Sequence, residues 1–319
     1  MSALASPASP PGLASARPRS LRKPGHVFPV TVVVVAIIAI WYVGAFFLNA
    51  QLARDAFARQ KVEPTTRELV AATYAMERPL LPAPHQVATE LWKSTTGYAI
   101  TSKRSLVYHG WVTLSATLAG FVIGTALGLL LAIGIVHVAS LDRSLMPWVV
   151  ASQTIPIVAI APMIVVVGYN LMNGQLGLST DTSRFLAKAM ISTYLSFFPV
   201  AVGMVKGLRS PEPMHLDLMR TYSATGWQAF WKLRFPASLP YLFTSMQIAI
   251  AISLVGAIVG ELPTGASAGL GARLLAGSYY GQTVQIWAAL LAASILAAVL
   301  VAIVGLANRI VLKRMGMAR

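Results

Sequence analysis

Long apolar runs separated by short polar segments make up most of this chain. Uncharged runs of about the length needed to cross a bilayer, roughly 20 residues, occur six times. The candidate spans are residues 28–48, 110–136, a stretch within 145–170, 189–205, 240–260 and a stretch within 284–308. Only helices and closed barrels satisfy their backbone hydrogen bonds in lipid, and unbroken runs of this length predict helices. The pattern therefore predicts an all-α, polytopic membrane protein with six transmembrane helices.

Composition supports this class. The chain has 319 residues, of which 56% are hydrophobic and only 11% are charged, whereas soluble domains carry about 25% charged residues. The net charge of +15 comes largely from basic residues beside the apolar runs, which suits lipid headgroups and topology signals better than nucleic acid. The absence of cysteine excludes disulfides and thiolate chemistry.

The ends of the chain predict its topology. Residues 1–27 are rich in Ala, Ser and Pro with four basic residues, which predicts a disordered basic tail. The same pattern opens a signal peptide, but the run 28–48 exceeds the usual apolar region of about 7–15 residues, which favours a retained first helix. Short loops rich in Lys and Arg lie on the cytoplasmic side. This rule places both termini, including the tail 313–319, in the cytoplasm.

The long segment 49–107 is then external, because long loops translocate largely regardless of charge. It is predicted to hold a short surface helix around "PHQVATELWKS".

Near the external side of the fourth span, Arg184 and Lys188 can attract an anionic substrate. Snorkelling of their stems to the interface is the alternative.

Two features of the spans predict helix packing and shape. Gly120, Gly124 and Gly128 recur at every fourth position of the second span, which predicts close contact with another helix. Pro156 and Pro162 in the third span predict a kinked or broken helix. Such a helix is tolerated at membrane depth where it is buried in protein or lines a cavity, so both prolines are candidates for the wall of a translocation pathway. Ordinary kinked packing is the alternative.

The polar segment before the fifth span has a different pattern, "DLMRTYSATGWQAFWKLRFPASLP". A short helix beginning at Asp217 is predicted, followed by a small-residue turn and a second short helix. The second helix carries Trp227 and Phe230 on one face. Pro236 and Pro240 are expected to end this unit before the fifth span begins. An amphipathic hairpin that only anchors a loop at the interface is the alternative.

This segment resembles the cytoplasmic loop of membrane subunits of binding-protein-dependent ABC importers. The family loop has a short motif, and the residues of this chain at the motif positions are, in order, Asp217, Leu218, Met219, Ser223, Leu233, Phe235 and Pro236. The surroundings are similar to the nitrate/sulfonate/taurine-like branch at Arg220, Thr221, Ala224, Trp227, Gln228, Phe230, Pro236 and Pro240. Further similarities follow in order, including "LLPAPHQV", "FFPVAVGMVKGLRS" and "VGELPTGASAGLGARLL".

The resemblance implies a type I ABC importer permease fold in residues 108–312, with a cytoplasmic coupling loop at 206–238. It implies a second permease subunit, expected to form a homodimer. It also implies two separate ATPase subunits and an external substrate-binding protein. ATP would be bound by those partners, since this chain has no Gly-x4-Gly-Lys-Ser/Thr loop, so no cofactor is expected here. The implied substrate is a small anion such as nitrate, a sulfonate or taurine. A thiamine or flavin precursor, or transport without an ATPase, are the alternatives.

Ser223 stands where the family loop has glycine. Serine resists the positive backbone angle that glycine adopts freely, so Gly226 is the alternative source of flexibility in this turn.

Two remaining constellations bear on function. Glu261, at the end of the fifth span, is a functional candidate because it is an ionisable group near membrane depth. The resemblance implies an acid at this position, beside the external end of the pathway. A solvated charge or a pair with Arg273 is the alternative. The stretch "GASAG" at 265–269 matches a serine-hydrolase pattern around Ser267. It follows a helix rather than a strand and has no histidine near it in sequence. No catalytic or metal site is predicted.

Overall fold

The computed structural model describes residues 27–263 and 268–316, and these ranges contain helices and no strand. The predicted tail 1–27 lies outside the described residues except for Val27, as do Ser267 and residues 317–319. The helices are α1 Val27–Arg59, α2 Thr66–Ala75, α3 Pro84–Thr96, α4 Leu106–His137, α5 Ala139–Ala151, α6 Ile157–Asn170, α7 Thr180–Leu208, α8 Pro213–Thr221, α9 Gly226–Ala229, α10 Phe235–Glu261, α11 Leu270–Tyr279 and α12 Thr283–Arg314.

Within the described ranges, six helical stretches are long and apolar enough to cross a membrane. They are Phe28–Arg59, Leu106–His137, Ile157–Gln175, Thr180–Leu208, Gly226–Glu261 and Thr283–Arg314. The all-α prediction with six spans is confirmed.

The first helix continues well past the apolar run 28–48 and ends at Arg59. Residues 49–59 contain good helix formers and neither Gly nor Pro, so the charges there mark the edge of the apolar surface and not the end of the helix.

Asn49 on this helix is buried. Its Nδ2 donates to the carbonyl of Leu81 at 2.7 Å and its Oδ1 accepts from the amide of Leu80 at 2.7 Å, which fixes the segment before α3. The short helix expected around 84–94 is present as α3.

Helix α7 packs between α4 and α10 to form the centre of the fold. Gly128 on α4 lies against α7 so closely that an added Cβ would be 2.6 Å from the carbonyl oxygen of Phe197. Hydroxyl groups also join the three helices. Ser192 on α7 donates to the carbonyl of Ser253 at 2.9 Å, and Ser253 on α10 donates to the carbonyl of Thr117 on α4 at 2.9 Å.

The third span is broken. Helix α5 ends at a 3-10 turn, Ser152–Thr154, and α6 starts after Pro156, which is the extended residue before its first turn. Pro162 lies inside α6. A proline removes one backbone donor and clashes with the preceding turn, so the break at Pro156 has a local cause.

The fourth membrane span is helix α7. It covers Thr180–Leu208 and is longer than the predicted span 189–205. Lys188 does not mark its end. The Lys188 side chain is buried in protein beside a carboxylate from α10, so its charge is compensated without reaching the interface.

Candidate translocation pathway and coupling segment

The turn after α8 forms around Ser223. Ser223 has a φ of 53°, and the amide of Ala224 donates to the carbonyl of Met219 at 3.0 Å, as in a helix end capped by a left-handed residue. Gly226 is the first residue of α9 and is absent from the glycines with positive φ. The hypothesis that Gly226 provides the turn is therefore wrong, because the serine itself adopts the left-handed conformation.

The second short helix begins with a capping box. The side chain of Thr225 accepts from the amide of Gln228 at 3.3 Å, and the Gln228 side chain accepts from the amide of Thr225 at 2.9 Å. These reciprocal bonds satisfy amides that the first turn leaves without partners. Sequence reasoning missed Thr225, although Thr-x-x-Gln before an apolar run is a recognised signature.

The helix that starts at Gly226 does not stop at the prolines. Helix α9 passes through a π-helical turn, Phe230–Arg234, directly into α10. In that turn the amide of Phe235 donates to the carbonyl of Phe230. The wider turn comes immediately before Pro236, which has no amide to donate and lies in the first turn of α10. Pro240 lies inside α10. The prediction that Pro236 and Pro240 end the unit is therefore wrong.

The aromatic residues of this segment face two environments. Phe230 is 6% exposed and stacks edge-on against His137 at the end of α4, with ring centroids 5.4 Å apart. Trp227 is 71% exposed. Phe230 thus attaches the segment to the core, while Trp227 is available to a partner.

The polar residues of the segment are accessible. Asp217 accepts a hydrogen bond from Arg220 at 3.0 Å, and both side chains are exposed. The other positions predicted for the coupling loop are exposed at Thr221, Ser223 and Gly226 and half-buried at Ala224, Leu233, Phe235 and Pro236. Close to this end of the molecule, Arg209 forms an ion pair with Asp142 at 2.9 Å, which joins the end of α7 to the start of α5.

A cleft of about 590 Å³ opens between α7 and α10. Its lining is mainly apolar and consists of Gln153, Phe198, Pro199, Val202, Gly203, Lys206, Pro240, Tyr241, Thr244, Ser245, Ile248 and Ile252. Pro156 and Pro162 do not line this cleft, although Gln153 in the turn beside the break does. Glu261 does not line it either.

Glu261 is fully buried at the opposite end of α10. Its carboxylate accepts hydrogen bonds from the hydroxyl of Thr113 at 3.0 Å and from the amide of Gly271 at 2.8 Å. The ammonium of Lys188 lies 3.4 Å away. Elements α4, α7, α10 and α11 therefore meet at one carboxylate.

The start of α11 is attached to α4 by two further bonds. Thr113 accepts from the amide of Leu270 at 2.8 Å, and Nδ1 of His109 accepts from the amide of Gly269 at 2.9 Å. His109 Nε2 lies 2.9 Å from the carbonyl of Lys103, so the neutral ring with its proton on Nε2 fits both contacts. Sequence reasoning missed Thr113 and His109. We refer to Glu261, Lys188, Thr113 and His109 as the Glu261 network.

Within the described ranges, no group of three His, Asp or Glu side chains could hold a metal ion. The site consists of a cleft, an accessible helical segment at one end and a buried polar network at the other.

The chain is similar in sequence to known membrane proteins. Residues 124–317 match the family described as binding-protein-dependent transport system inner membrane component. The chain is 32% identical over 194 residues to the formylaminopyrimidine transport permease protein of Halalkalibacterium halodurans, covering 60% of this chain and 68% of that protein. It is 30% identical over 234 residues to the riboflavin transport system permease protein of Chloroflexus aurantiacus, covering 73% and 80%.

A third relative is less similar. The putative aliphatic sulfonates transport permease protein of Bacillus subtilis is 23% identical over 184 residues, covering 57% of this chain and 61% of that protein.

Proposed function

The chain belongs to the family of binding-protein-dependent transport system inner membrane components and is an ABC transporter permease subunit of the inner membrane, and from that membership we propose how its parts perform import. The cleft between α7 and α10 forms half of the substrate pathway, and the segment 213–231 docks the ATPase. The observation that carries this proposal is the helix that continues from α9 through α10, because it joins the docking segment to a wall of the cleft.

This continuity suggests how force is transmitted. Movement of an ATPase against α8 and α9 displaces Phe230 and the π turn, and α10 moves with them because no flexible loop intervenes. The cleft residues Tyr241 and Thr244 lie on α10 just beyond this turn. Closure of an ATPase pair would then alter the cleft in a hinge or rocking motion, as alternating access requires.

We propose that a second copy of this chain completes the pathway. The 3-10 turn that precedes α6 lines the cleft at Gln153. Helix α6 itself leaves apolar side chains such as Met163 and Val167 exposed, at 67% and 65%. Each copy would bind one ATPase, so that the complex contains two ATPase subunits. An external substrate-binding protein would complete the complex. Mass measurement of the purified complex tests this stoichiometry, and a complex with one copy of the chain would contradict it.

The orientation we propose has both termini in the cytoplasm. Because the chain contains no cysteine, single cysteines report topology without background. In intact cells, a membrane-impermeant maleimide should label Thr101→Cys in the segment before α4. Met214→Cys, an exposed position on α8, should react only after permeabilisation. The reverse pattern would show that the chain is inserted the other way.

For the substrate, we propose a small organic compound with a pyrimidine or flavin-like ring. The cleft supports this choice because it is mainly apolar and contains the aromatic side chains Phe198 and Tyr241 with few polar groups. Such a lining can pack against a planar ring. A sulfonate is the second candidate, because Lys206 lines the cleft and one relative is named for aliphatic sulfonates.

The test is transport by the complete complex. The chain, its ATPase and its binding protein are reconstituted in proteoliposomes, and uptake of formylaminopyrimidine, riboflavin and taurine is measured with and without ATP. We expect ATP-dependent uptake of a ring compound. Uptake of taurine alone would reverse the order of the candidates, and uptake without an ATPase would contradict the proposed mechanism.

A further inference from the structure

Trp111 on α4 separates two cavities on the surface of the molecule. On one side is an apolar groove of about 580 Å³ between α3, α4 and α12. On the other side is a more polar pocket of about 320 Å³ between α4 and α7. Trp111 lines both cavities and is 68% exposed. One elongated molecule lying across this ring can therefore occupy both.

The groove is suited to a hydrocarbon chain. It runs from Trp92 on α3 past Leu114 on α4 to Val299 on α12. Since α4 and α12 are membrane spans, the groove follows the membrane from the end next to α3 toward its interior. Tryptophan is enriched at the membrane–water interface, and Trp92 and Trp111 lie at the end of the groove where such a boundary is expected.

The polar pocket contains separate positive and negative groups. Arg184 and Asp181 on α7 both line it, and no ion pair joins them or any other described residue to Arg184 within the described ranges. Lys188 also lines the pocket, but its ammonium lies beside Glu261. The pocket thus offers one guanidinium and one carboxylate, about one helical turn apart, to a ligand that carries both charges.

We propose that a phosphatidylethanolamine molecule binds across Trp111. Its phosphate interacts with Arg184, its ammonium with Asp181, and one acyl chain lies in the groove. Arginine suits phosphate because its planar donors match phosphate oxygens. The charge pattern selects this zwitterionic lipid over phosphatidylglycerol, which carries the phosphate but no ammonium to pair with Asp181. The lipid would fill the space between α3, α4, α7 and α12.

Gly110 allows the groove to be blocked without disturbing the fold. It lines the groove, and a Cβ added there would meet nothing within 4 Å. A Gly110→Leu side chain would therefore extend into the space assigned to the acyl chain. Gly174 provides a matched control, because it also has open space around an added Cβ and lies outside the groove.

The experiment uses the full-length chain in nanodiscs containing equal amounts of phosphatidylethanolamine and phosphatidylglycerol, with retained lipid measured by native mass spectrometry. We expect the wild-type chain to retain mainly phosphatidylethanolamine. Arg184→Gln should lower retention of both lipids about tenfold, since a charge-assisted hydrogen bond is lost. Asp181→Asn should lower retention of phosphatidylethanolamine alone, and Gly110→Leu should displace both. Arg67→Gln and Gly174→Leu should change nothing.

Two results would overturn the proposal. If Arg184→Gln, Asp181→Asn and Gly110→Leu all retain lipid as the wild type does, the lipids are only the ordinary annulus around a membrane protein. If Gly110→Leu leaves lipid retention unchanged but dissociates a dimer, the groove is a contact between two copies. Thermal unfolding of each variant identifies any loss of retention that comes from misfolding.

Discussion

The ammonium of Lys188 on α7 lies 3.4 Å from the carboxylate of Glu261 on α10, and the two side chains are only 6% and 0% exposed. Burying two charges costs solvation free energy that their attraction only partly returns. Removal of one partner is more costly still, because it leaves the other charge buried without compensation.

Lys188→Met should therefore destabilise the chain by about 3–5 kcal/mol. Glu261→Gln combined with Lys188→Met should recover much of this loss, since the remaining amide carries no charge and still bonds to Thr113. Thermal unfolding of the purified variants in detergent measures both effects. Arg67→Met on the exposed helix α2 is the control and should have little effect. A double variant as unstable as Lys188→Met would contradict the importance of this pair.

Ser223 has a left-handed backbone that costs a non-glycine residue about 1 kcal/mol. Ser223→Gly should therefore stabilise the chain by a similar amount, and Ser223→Val should destabilise it, because a β-branched residue is poorly suited to a φ of 53°. Gly226→Ala should be nearly neutral, since its added methyl group meets nothing within 4 Å. Unfolding measurements on the three variants check this order. Stabilisation by Ser223→Gly that also lowered transport would indicate that the strained turn serves function.

Trp227 and Phe230 lie about one helical turn apart, with ring centroids separated by 6.2 Å, but they should respond differently to substitution. Trp227→Ala should leave stability unchanged and weaken binding of the ATPase by at least about tenfold, because exposed tryptophans commonly dominate interfaces. Phe230→Ala should instead lower stability by about 3–5 kcal/mol, since its ring is buried. Copurification of the ATPase, with thermal unfolding in parallel, separates the two effects. Unchanged ATPase binding in Trp227→Ala would exclude this residue from the docking surface.

Much of the fold can be predicted from hydropathy alone, because the cost of unpaired backbone groups in lipid leaves only helices for long apolar runs. Helix ends are less predictable. Charges mark where a helix leaves an apolar environment, and neither Arg54 inside α1 nor Lys188 inside α7 is a barrier to helix formation. Pro236 is a second example of a helix end that is hard to predict. Local propensity predicts that the helix ends before this proline, but the preceding π turn accommodates it and the helix continues.

The Glu261 network could not be predicted because its members are far apart in sequence. Thr113 and Glu261 are separated by 148 positions, and nothing near either residue indicates the other. The proposed docking segment 213–231 was easier to recognise, since its aromatic and capping positions lie within one short stretch. What the sequence did not show was the continuity of this segment with α10, on which the proposed transmission depends.

The close approach of α4 to α7 should make Gly124 intolerant of any side chain. A Cβ added at Gly124 would lie 3.0 Å from the carbonyl oxygen of Thr193 and would also press on Ser196. Gly124→Ala should therefore separate the two helices and lower stability by about 1–3 kcal/mol, as overpacking does in other cores. Gly110→Ala on the same helix meets open space and should be neutral or stabilising by up to about 1 kcal/mol, because alanine favours helix. Thermal unfolding of the two variants tests the difference, and equal stabilities would show that α4 and α7 can separate without cost.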